Sequence, residues 1–165
     1  MTNFSSQPDI KSSFISDGVT YYIDWYDLDD EVPNLPWSQV YALGDVNGLV
    51  PIVHYANRGD NLPGGRTEPG ETAEETLIRE IQEEINHEVI SWSPIGYQVW
   101  CNPVNGDNTY QLRVYAKMRP IGEFISDPGG SVIGHSLVSL DELNLRINYG
   151  EVGDRMIDVV RNKML

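Results

Sequence analysis

The stretch that decides the fold runs from residue 62 to residue 88 and reads LPGGRTEPGETAEETLIREIQEEINHE. It opens with a loop rich in glycine and proline and continues with apolar residues at helical spacing. Thr72 is followed three positions later by Glu75, the pattern of a capping box, and Pro69 and Gly70 lie just outside it. The spacing predicts a helix over residues 72–85.

Three carboxylates share one face of this predicted helix. Glu80, Glu83 and Glu84 are spaced i, i+3 and i+4, which places them within an arc of about 100°. A separate apolar stripe is formed by Leu77, Ile78, Ile81 and Ile85. The helix can therefore pack on a sheet while its acids face outward or line a cleft.

The acids on this helix are poorly compensated. Glu80 is followed at i+4 by Glu84, and Glu84 by Glu88, so that only Glu75 and Arg79 form an attractive pair. A solvated acidic surface is one interpretation of such a run. The other is a site for a divalent cation, because clustered hard oxygen ligands suit Mg²⁺ or Mn²⁺.

Net charge restricts the classes of partner. The 165 residues carry a formal charge of −14, of which residues 66–88 contribute eight acids and two bases, and residues 24–31 contribute five acids and no base. This balance argues against a polymeric nucleic acid or an anionic membrane as a partner, since both are bound through Lys and Arg. The acidic segment 24–31 has no evident role.

The organisation fits one domain in a reducing compartment. Residues 1–13 are polar and rich in serine, which predicts a flexible N-terminal tail, and residues 14–165 are expected to form a single domain. Cys101 is the single cysteine and allows no internal disulfide. No segment has the pattern of a signal or a membrane span, so the expected location is cytoplasmic.

Strands and further helices alternate along the rest of the chain, which predicts an α/β or α+β domain. Asn47-Gly48 lies between two apolar runs and predicts a β-hairpin. Strands are expected at 19–26, 39–43, 49–55, 95–100, 110–118 and 137–140, and a last helix at 151–163.

Residues 65–84 resemble the signature of the Nudix hydrolase family. The signature has a Gly, five residues, a Glu, seven residues, Arg-Glu, an aliphatic residue, any residue, and Glu-Glu. The matching positions are Gly65, Glu71, Arg79, Glu80, Ile81, Glu83 and Glu84. The similarity extends to His87 but departs at its end, where Asn86 and His87 stand in place of a Gly and an aliphatic residue. Asn can still form a left-handed helix C-cap.

The resemblance implies an α/β/α sandwich with a mixed β-sheet between helices. It implies a pyrophosphohydrolase that uses Mg²⁺ or Mn²⁺ to cleave a nucleoside diphosphate linked to another moiety, such as an ADP-ribose-like or nucleotide-sugar-like compound. Carried over residue by residue, Glu80, Glu83 and Glu84 would be metal ligands and catalytic residues, with a backbone carbonyl of Gly64 or Gly65. Glu71 and Arg79 would orient them, or form only a local salt bridge.

The catalytic base and the residues that select the substrate are less defined. The family often takes its base from a later loop, where this chain offers Glu123 and Asp127; Glu123 is the candidate, and the helix acids are the alternative. On the strand at 110–118, Leu112, Val114, Ala116 and Met118 alternate with a basic face. Arg113, Lys117 and Arg119 of that face are candidates for phosphate contact or simply solvated residues.

Two functions from different classes follow. The first is the hydrolase acting on a small nucleotide, with a homodimer as one possible assembly. The alternative is a nucleotide-binding or sensor module of the same fold without turnover, suggested by Asn86 and His87 and by the missing late Glu.

Overall fold

The computed structural model describes residues 7–164, in which five strands precede the first helix and three more strands precede the last two helices. The eight strands are β1 (Ile10–Ser16), β2 (Val19–Asp27), β3 (Trp37–Asp45), β4 (Val50–Tyr55), β5 (Gly64–Arg66), β6 (His87–Cys101), β7 (Asn108–Pro120) and β8 (Val132–Val138). The three helices are α1 (Ala73–Ile85), α2 (Leu140–Ile147) and α3 (Gly150–Lys163).

Six strands form a mixed sheet in the order β1-β2-β6-β7-β3-β5. Neighbouring strands of this sheet are antiparallel, except for β3 and β7, which are parallel. β4 and β8 pair antiparallel in a separate two-stranded sheet. The parallel pair is possible because β4, β5, α1 and β6 lie between β3 and β7 in the chain.

Helices cover both faces of the large sheet. Leu77, Ile81 and Ile85 of α1 pack with Val40 and Ala42 of β3 in one core cluster. On the other face, residues of α2 and α3 pack with Leu43 of β3, with Trp25 and Ile95 of the same sheet, and with β4 and β8. The mixed α+β sandwich expected from the sequence is confirmed.

The side chains of β7 point alternately to the two faces of the sheet, so this strand contributes residues to both core clusters. Leu112, Val114, Ala116 and Met118 all belong to the cluster around α1. The opposite side is not solvated over its whole length, because Tyr115 belongs to the second core and Arg113 is also buried. The two bases toward the end of the strand, Lys117 and Arg119, are exposed.

The prediction of a β-hairpin at Asn47-Gly48 is wrong. The tight turn exists, with left-handed φ values of 53° and 86° at these residues, but it closes a single bridge between Val46 and Leu49. Beyond this bridge β3 and β4 belong to different sheets, since β3 pairs with β7 and β5 whereas β4 pairs with β8. The local turn signal is correct, and the pairing is decided by distant strands.

The N-terminal tail predicted for residues 1–13 is corrected over its last part. Residues 10–13 belong to β1, which pairs with β2 through a hairpin turn at Asp17-Gly18. The strand is mostly exposed, so the sequence shows serines rather than an apolar pattern. Residues 1–6 lie outside the described part of the chain.

A short helix replaces the end of a predicted strand. The strand expected at 137–140 is β8, which runs from Val132 to Val138, and α2 follows it. Ser139 caps α2 with Glu142 in the same reciprocal capping box that begins α1. Within residues 7–164, no helix is long and apolar enough to cross a membrane.

Gly96 of β6 is a position where we expect a large change in stability. A Cβ at this position would lie 2.2 Å from a ring carbon of Trp25 and 2.6 Å from the carbonyl oxygen of Tyr26. Gly96→Ala should therefore lower the free energy of unfolding by about 2–3 kcal/mol through overpacking. Chemical denaturation measures this, with Gly59→Ala as control, because a Cβ at Gly59 meets no atom within 4 Å. Equal stability of both variants would contradict the packing described.

Candidate active site

The glycine-rich loop that contains Gly64 and Gly65 lies against the acidic face of α1. The first turn of the helix and β5 hold it there. Thr72 accepts from the N–H of Glu75 and Glu75 accepts from the N–H of Thr72, which fixes the start of the helix. β5 pairs with β3 through Gly64 and Gly65. The loop backbone therefore lies directly against the side chains of Glu80 and Glu84.

A cleft of about 410 Å³ is lined by this loop, α1 and the loop before β8. Its acidic lining residues outnumber its arginines by five to three. The acids are Glu68, Glu80, Glu83, Glu84 and Asp127, and the arginines are Arg58, Arg66 and Arg79. The three helix acids of the sequence signature thus share one cleft with both glycines, Gly64 and Gly65.

Glu84 is the most buried acid of the cleft, with 4% of its surface exposed. Its Oε2 accepts a hydrogen bond of 2.8 Å from the N–H of Gly64. Burial raises the pKa of Glu84 to about 8, and the charges of Glu80 and Asp127 act in the same direction, against the smaller effect of the Gly64 hydrogen bond. This carboxylate is placed where its own charge is costly unless a cation compensates it.

Glu80 lies against Gly65 so closely that no side chain fits between them. A Cβ on Gly65 would lie 2.5 Å from Oε1 of Glu80. Burial raises the pKa of Glu80, although the hydrogen bond from Arg79 opposes the shift. The second glycine of the pair is therefore required by close approach rather than by an unusual φ angle.

Arg79 connects four groups around the cleft. Its Nε and Nη2 donate to the carboxylate of Glu71 at 2.6 and 2.9 Å, and Nη2 also donates to the carbonyl of Arg66. Its Nη1 donates to Glu80 at 2.8 Å and to Glu83 at 3.4 Å. Arg79 therefore contacts two of the three helix acids, which fits the orienting role that the resemblance implies.

Glu71 joins the loop to the helix. Besides Arg79, it accepts hydrogen bonds from the N–H of Glu68 and the hydroxyl of Thr76. The Arg79 guanidinium lowers the pKa of Glu71 to about 2, and the Glu68 N–H adds to this effect. Glu71 is thus ionised over the whole physiological pH range and holds Arg79 in place.

The donor set of the cleft suits a divalent cation. The oxygens of Glu80, Glu83, Glu84 and Asp127 are hard ligands on one surface, and burial raises the pKa values of two of these carboxyls, Glu80 and Glu84. As placed, no three His, Cys, Asp or Glu side chains of residues 7–164 converge tightly enough to hold an ion. Arg79 and the Gly64 N–H hold the oxygens of these carboxylates instead.

Of the two loop acids, Asp127 lines this cleft and Glu123 does not. Glu123 lines a neighbouring groove with Ile78, Gln82 and Asn86, and this groove adjoins the cleft at Arg79 and Glu83. Asp127 accepts hydrogen bonds from the N–H groups of Gly129, Ser131 and Val132, so it also shapes its own loop. The sequence offered both acids, and the tertiary structure brings only Asp127 to Glu80 and Glu84.

The three basic candidates on β7 are separated. Arg113 lines a second cavity, of about 640 Å³, on the side of the sheet that packs against α3. Arg119 is 68% exposed and ion-paired with Glu88, and Lys117 is exposed near it. Neither Lys117 nor Arg119 lines either cavity.

The departures at the end of the signature have structural explanations. Asn86 is the left-handed C-cap of α1, with φ 52° and ψ 48°, as the sequence predicted. Its side chain also donates to the carbonyl of Glu123, a contact that glycine could not make. His87 is buried, with Nδ1 2.7 Å from the carbonyl oxygen of Ile85 and its ring edge-on to His135, so it packs in the interior and does not line the cleft.

Sequence reasoning did not single out several further residues of the cleft, among them Gln39, Tyr41 and Arg58. These three also line the second cavity, so the two cavities are contiguous through them. Gln39 and Tyr41 are two positions apart on β3 and therefore share one face of the strand, and Arg58 is the first base after β4. They differ from other polar residues of the sequence only in that folding places their side chains together at the cleft.

The fold and the cleft together define a sandwich with an acidic helix against a glycine loop. A family model described as the NUDIX domain matches residues 47–159, most of the chain. The chain belongs to this family. The family membership predicted from the sequence is confirmed, and with it the class of enzyme, a Nudix-type hydrolase.

Solved structures agree with the fold. The chain is similar to the pyrophosphohydrolase BsRppH from Bacillus subtilis, at 16% identity and a TM-score of 0.70, over 92% of this chain and 97% of that chain. It is also similar to a NUDIX hydrolase from Nitrosomonas europaea, at 20% identity and a TM-score of 0.58, over 78% and 90% of the chains. An ADP-ribose pyrophosphatase from Streptococcus suis matches at 17% identity and a TM-score of 0.52, over 74% and 90%. No curated protein matches the chain significantly.

The raised pKa of Glu84 predicts a pH dependence of stability in metal-free protein. The folded state holds the proton up to about pH 8, whereas the unfolded carboxyl loses it near 4.5, so wild-type stability falls as pH rises through this window. Glu84→Gln keeps an acceptor for the Gly64 N–H and removes this cost. Its melting temperature in EDTA should exceed that of the wild type by at least about 3 °C at pH 8.5, and by little at pH 5.

The control is Glu74→Gln on the same helix. Glu74 accepts a hydrogen bond from the indole of Trp92 and does not line the cleft. Its melting temperature should follow that of the wild type at both pH values. A difference between Glu84→Gln and the wild type that does not grow with pH would show that Glu84 is ionised without cost.

Proposed function

We propose that the chain is a Mg²⁺- or Mn²⁺-dependent pyrophosphohydrolase that cleaves a nucleoside diphosphate linked to another moiety. The observation that carries this proposal is the pair of carboxyls, half-buried Glu80 and buried Glu84, held against Gly64 and Gly65 in a cleft with excess negative charge. Such a cleft would repel a diphosphate by itself. A cation between the two negative surfaces removes the repulsion.

The residues that would hold the cation are Glu80, Glu83 and Glu84, with a backbone carbonyl of Gly64 or Gly65. When bound, a divalent cation polarises the phosphoryl oxygens and lowers the pKa of a bound water. Arg79 keeps Glu80 and Glu83 oriented through its two hydrogen bonds, and Glu71 anchors Arg79. A cleft carboxylate would take the proton from the attacking water, and Asp127 is the loop acid positioned for this role.

The structure weakens the case for a sensor without turnover. That alternative was motivated by Asn86 and His87 and by the missing late Glu. Asn86 performs the capping role, His87 lies outside the cleft, and Asp127 supplies a loop acid next to Glu80. The substrate proposed is a small nucleotide, as the family acts on such compounds, and the acidic cleft offers no basic track for a polymer.

Loss of a helix carboxylate should abolish most of the activity. We expect Glu83→Gln and Glu84→Gln to lower kcat by on the order of a hundredfold or more, the scale on which loss of one electrostatic stabiliser acts. Release of a nucleoside monophosphate is measured with Mg²⁺ and a panel of ADP-ribose, NADH, dinucleoside polyphosphates, nucleotide sugars and nucleoside triphosphates. Glu74→Gln, which removes the same charge outside the cleft, should retain wild-type kcat.

Absence of hydrolysis by the wild type across this panel would reject the proposed enzyme. Calorimetric binding of one of the same compounds without product formation would then favour the sensor. Hydrolysis that survives Glu83→Gln and Glu84→Gln would instead place the reaction outside this cleft.

The two loop acids should behave differently. Asp127→Asn is expected to lower kcat by about tenfold or more, because Asp127 lines the cleft and shapes the loop beside it. Glu123→Gln should leave kcat and KM near their wild-type values, since its side chain lines the neighbouring groove and not the cleft. Steady-state kinetics at saturating Mg²⁺ measures both, and the reverse order of effects would restore Glu123 as the base.

A further inference from the structure

The cavity of about 640 Å³ beside the acidic cleft has a different chemistry from that cleft. Its lining includes Arg58 and Arg113, against one acid, Glu151. Gln39, Tyr41 and Arg58 line both cavities, so the two are contiguous and one ligand can reach from the cleft into this cavity. In a chain of formal charge −14, a cavity with more bases than acids is unusual.

Arg113 is the buried charge of this cavity, with 3% of its surface exposed. Its Nη2 donates to the amide oxygens of Gln98 at 2.8 Å and Gln111 at 3.0 Å. The rings of Tyr41 and Tyr149 lie 4.6 and 5.8 Å from the guanidinium carbon. All these partners are neutral, and no carboxylate of residues 7–164 forms an ion pair with Arg113.

Two donors at this cavity lack an acceptor. Among residues 7–164, neither Nε of Arg113 nor Nε1 of Trp100 has a hydrogen-bond partner, although both atoms are buried. The amide oxygens of Gln98 and Gln111 are used by Arg113, so these amides present their N–H groups to other partners. The part of the cavity wall around Arg113 therefore presents donors, and the single carboxylate of the lining is that of Glu151.

A buried guanidinium remains charged, and leaving it without a counter-anion is costly. The neutral partners around Arg113 hold it in position but do not neutralise it. A ligand with negative oxygens would supply both the missing charge and the missing acceptors. Arginine is also the side chain best suited to phosphate, because its planar donors match phosphate oxygens.

We propose that this cavity binds an additional phosphate of the substrate, carried on the nucleoside end away from the scissile diphosphate. The inference rests on the proposed function for the position of the diphosphate in the acidic cleft. The substrate class is then a nucleoside diphosphate derivative whose ribose bears a 2′- or 3′-phosphate. Arg113 recognises this phosphate, and the N–H groups of Trp100, Gln98 and Gln111 assist it.

The first experiment measures binding without any hydrolysable bond. Isothermal titration calorimetry with Mg²⁺ compares adenosine 2′,5′-bisphosphate and adenosine 3′,5′-bisphosphate with adenosine 5′-monophosphate, which differ only in the extra phosphate. We expect at least one bisphosphate to bind at least tenfold tighter, the scale of one charge-assisted hydrogen bond. Equal affinities, or no detectable binding of any of the three, would overturn the proposal.

Variants then assign the preference to Arg113. Arg113→Gln should remove the tenfold preference, and Trp100→Phe, which keeps an aromatic ring but loses the donor, should reduce it. Arg119→Gln is the matched control, because it removes the same charge from the same strand at an exposed position outside both cavities. If Arg113→Gln does not fold, the wild-type comparison and Trp100→Phe still decide. A preference that persists in Arg113→Gln would contradict the assignment.

Kinetics separates failure of this inference from failure of the proposed function. We expect wild-type kcat/KM to be at least tenfold higher for NADPH than for NADH, or for coenzyme A than for its dephospho form. Hydrolysis of both members of each pair at equal rates would overturn the inference and leave the function intact. Tight, Arg113-dependent binding of a bisphosphate without hydrolysis of any anhydride would reject the function and keep the cavity assignment.

Discussion

The active cleft depends on the direct contact between the backbone of Gly64-Gly65 and the acidic face of α1. The Gly64 N–H is bonded to Glu84, and the Gly65 backbone leaves no room for a Cβ beside Glu80. This contact removes two carboxylates from water, which raises their pKa values. Packing thus creates a cleft in which carboxylate charge is costly, whereas water would stabilise the same charges on a solvated helix.

The rest of the fold holds this contact in place at both ends of the helix. At the start, the capping box and the Glu71–Arg79 pair fix the loop relative to the first two turns. At the end, Asn86 terminates α1 in a left-handed conformation and holds the loop at Glu123 through its side chain. The apolar face of α1 packs into the sheet core between these two points. The energy released by that burial offsets the repulsion among the acids.

One sheet contributes to two adjacent cavities of opposite charge, the acidic cleft and the cavity that contains Arg113. β3 contributes Gln39 and Tyr41 to both, while α1 supplies carboxylates to one and β7 supplies Arg113 to the other. The acidic and basic surfaces are contiguous, so a chain of formal charge −14 contains one cavity in which arginines outnumber carboxylates.

Local patterns in the sequence determined the local features of this protein. The capping box at Thr72, the arc of Glu80, Glu83 and Glu84, the Asn86 cap and the alternation of β7 are short-range features, and each is found in the structure. The tertiary structure decided the strand partners of β3 and β4, the pairing of residues 10–13 with β2, and which of Glu123 and Asp127 lines the acidic cleft. It also decided that Arg113 is buried while Arg119 is exposed. The physical reason is that strand partners, burial and electrostatic neighbours depend on residues far apart in the chain. Spacing along the sequence carries no information about which of these residues meet.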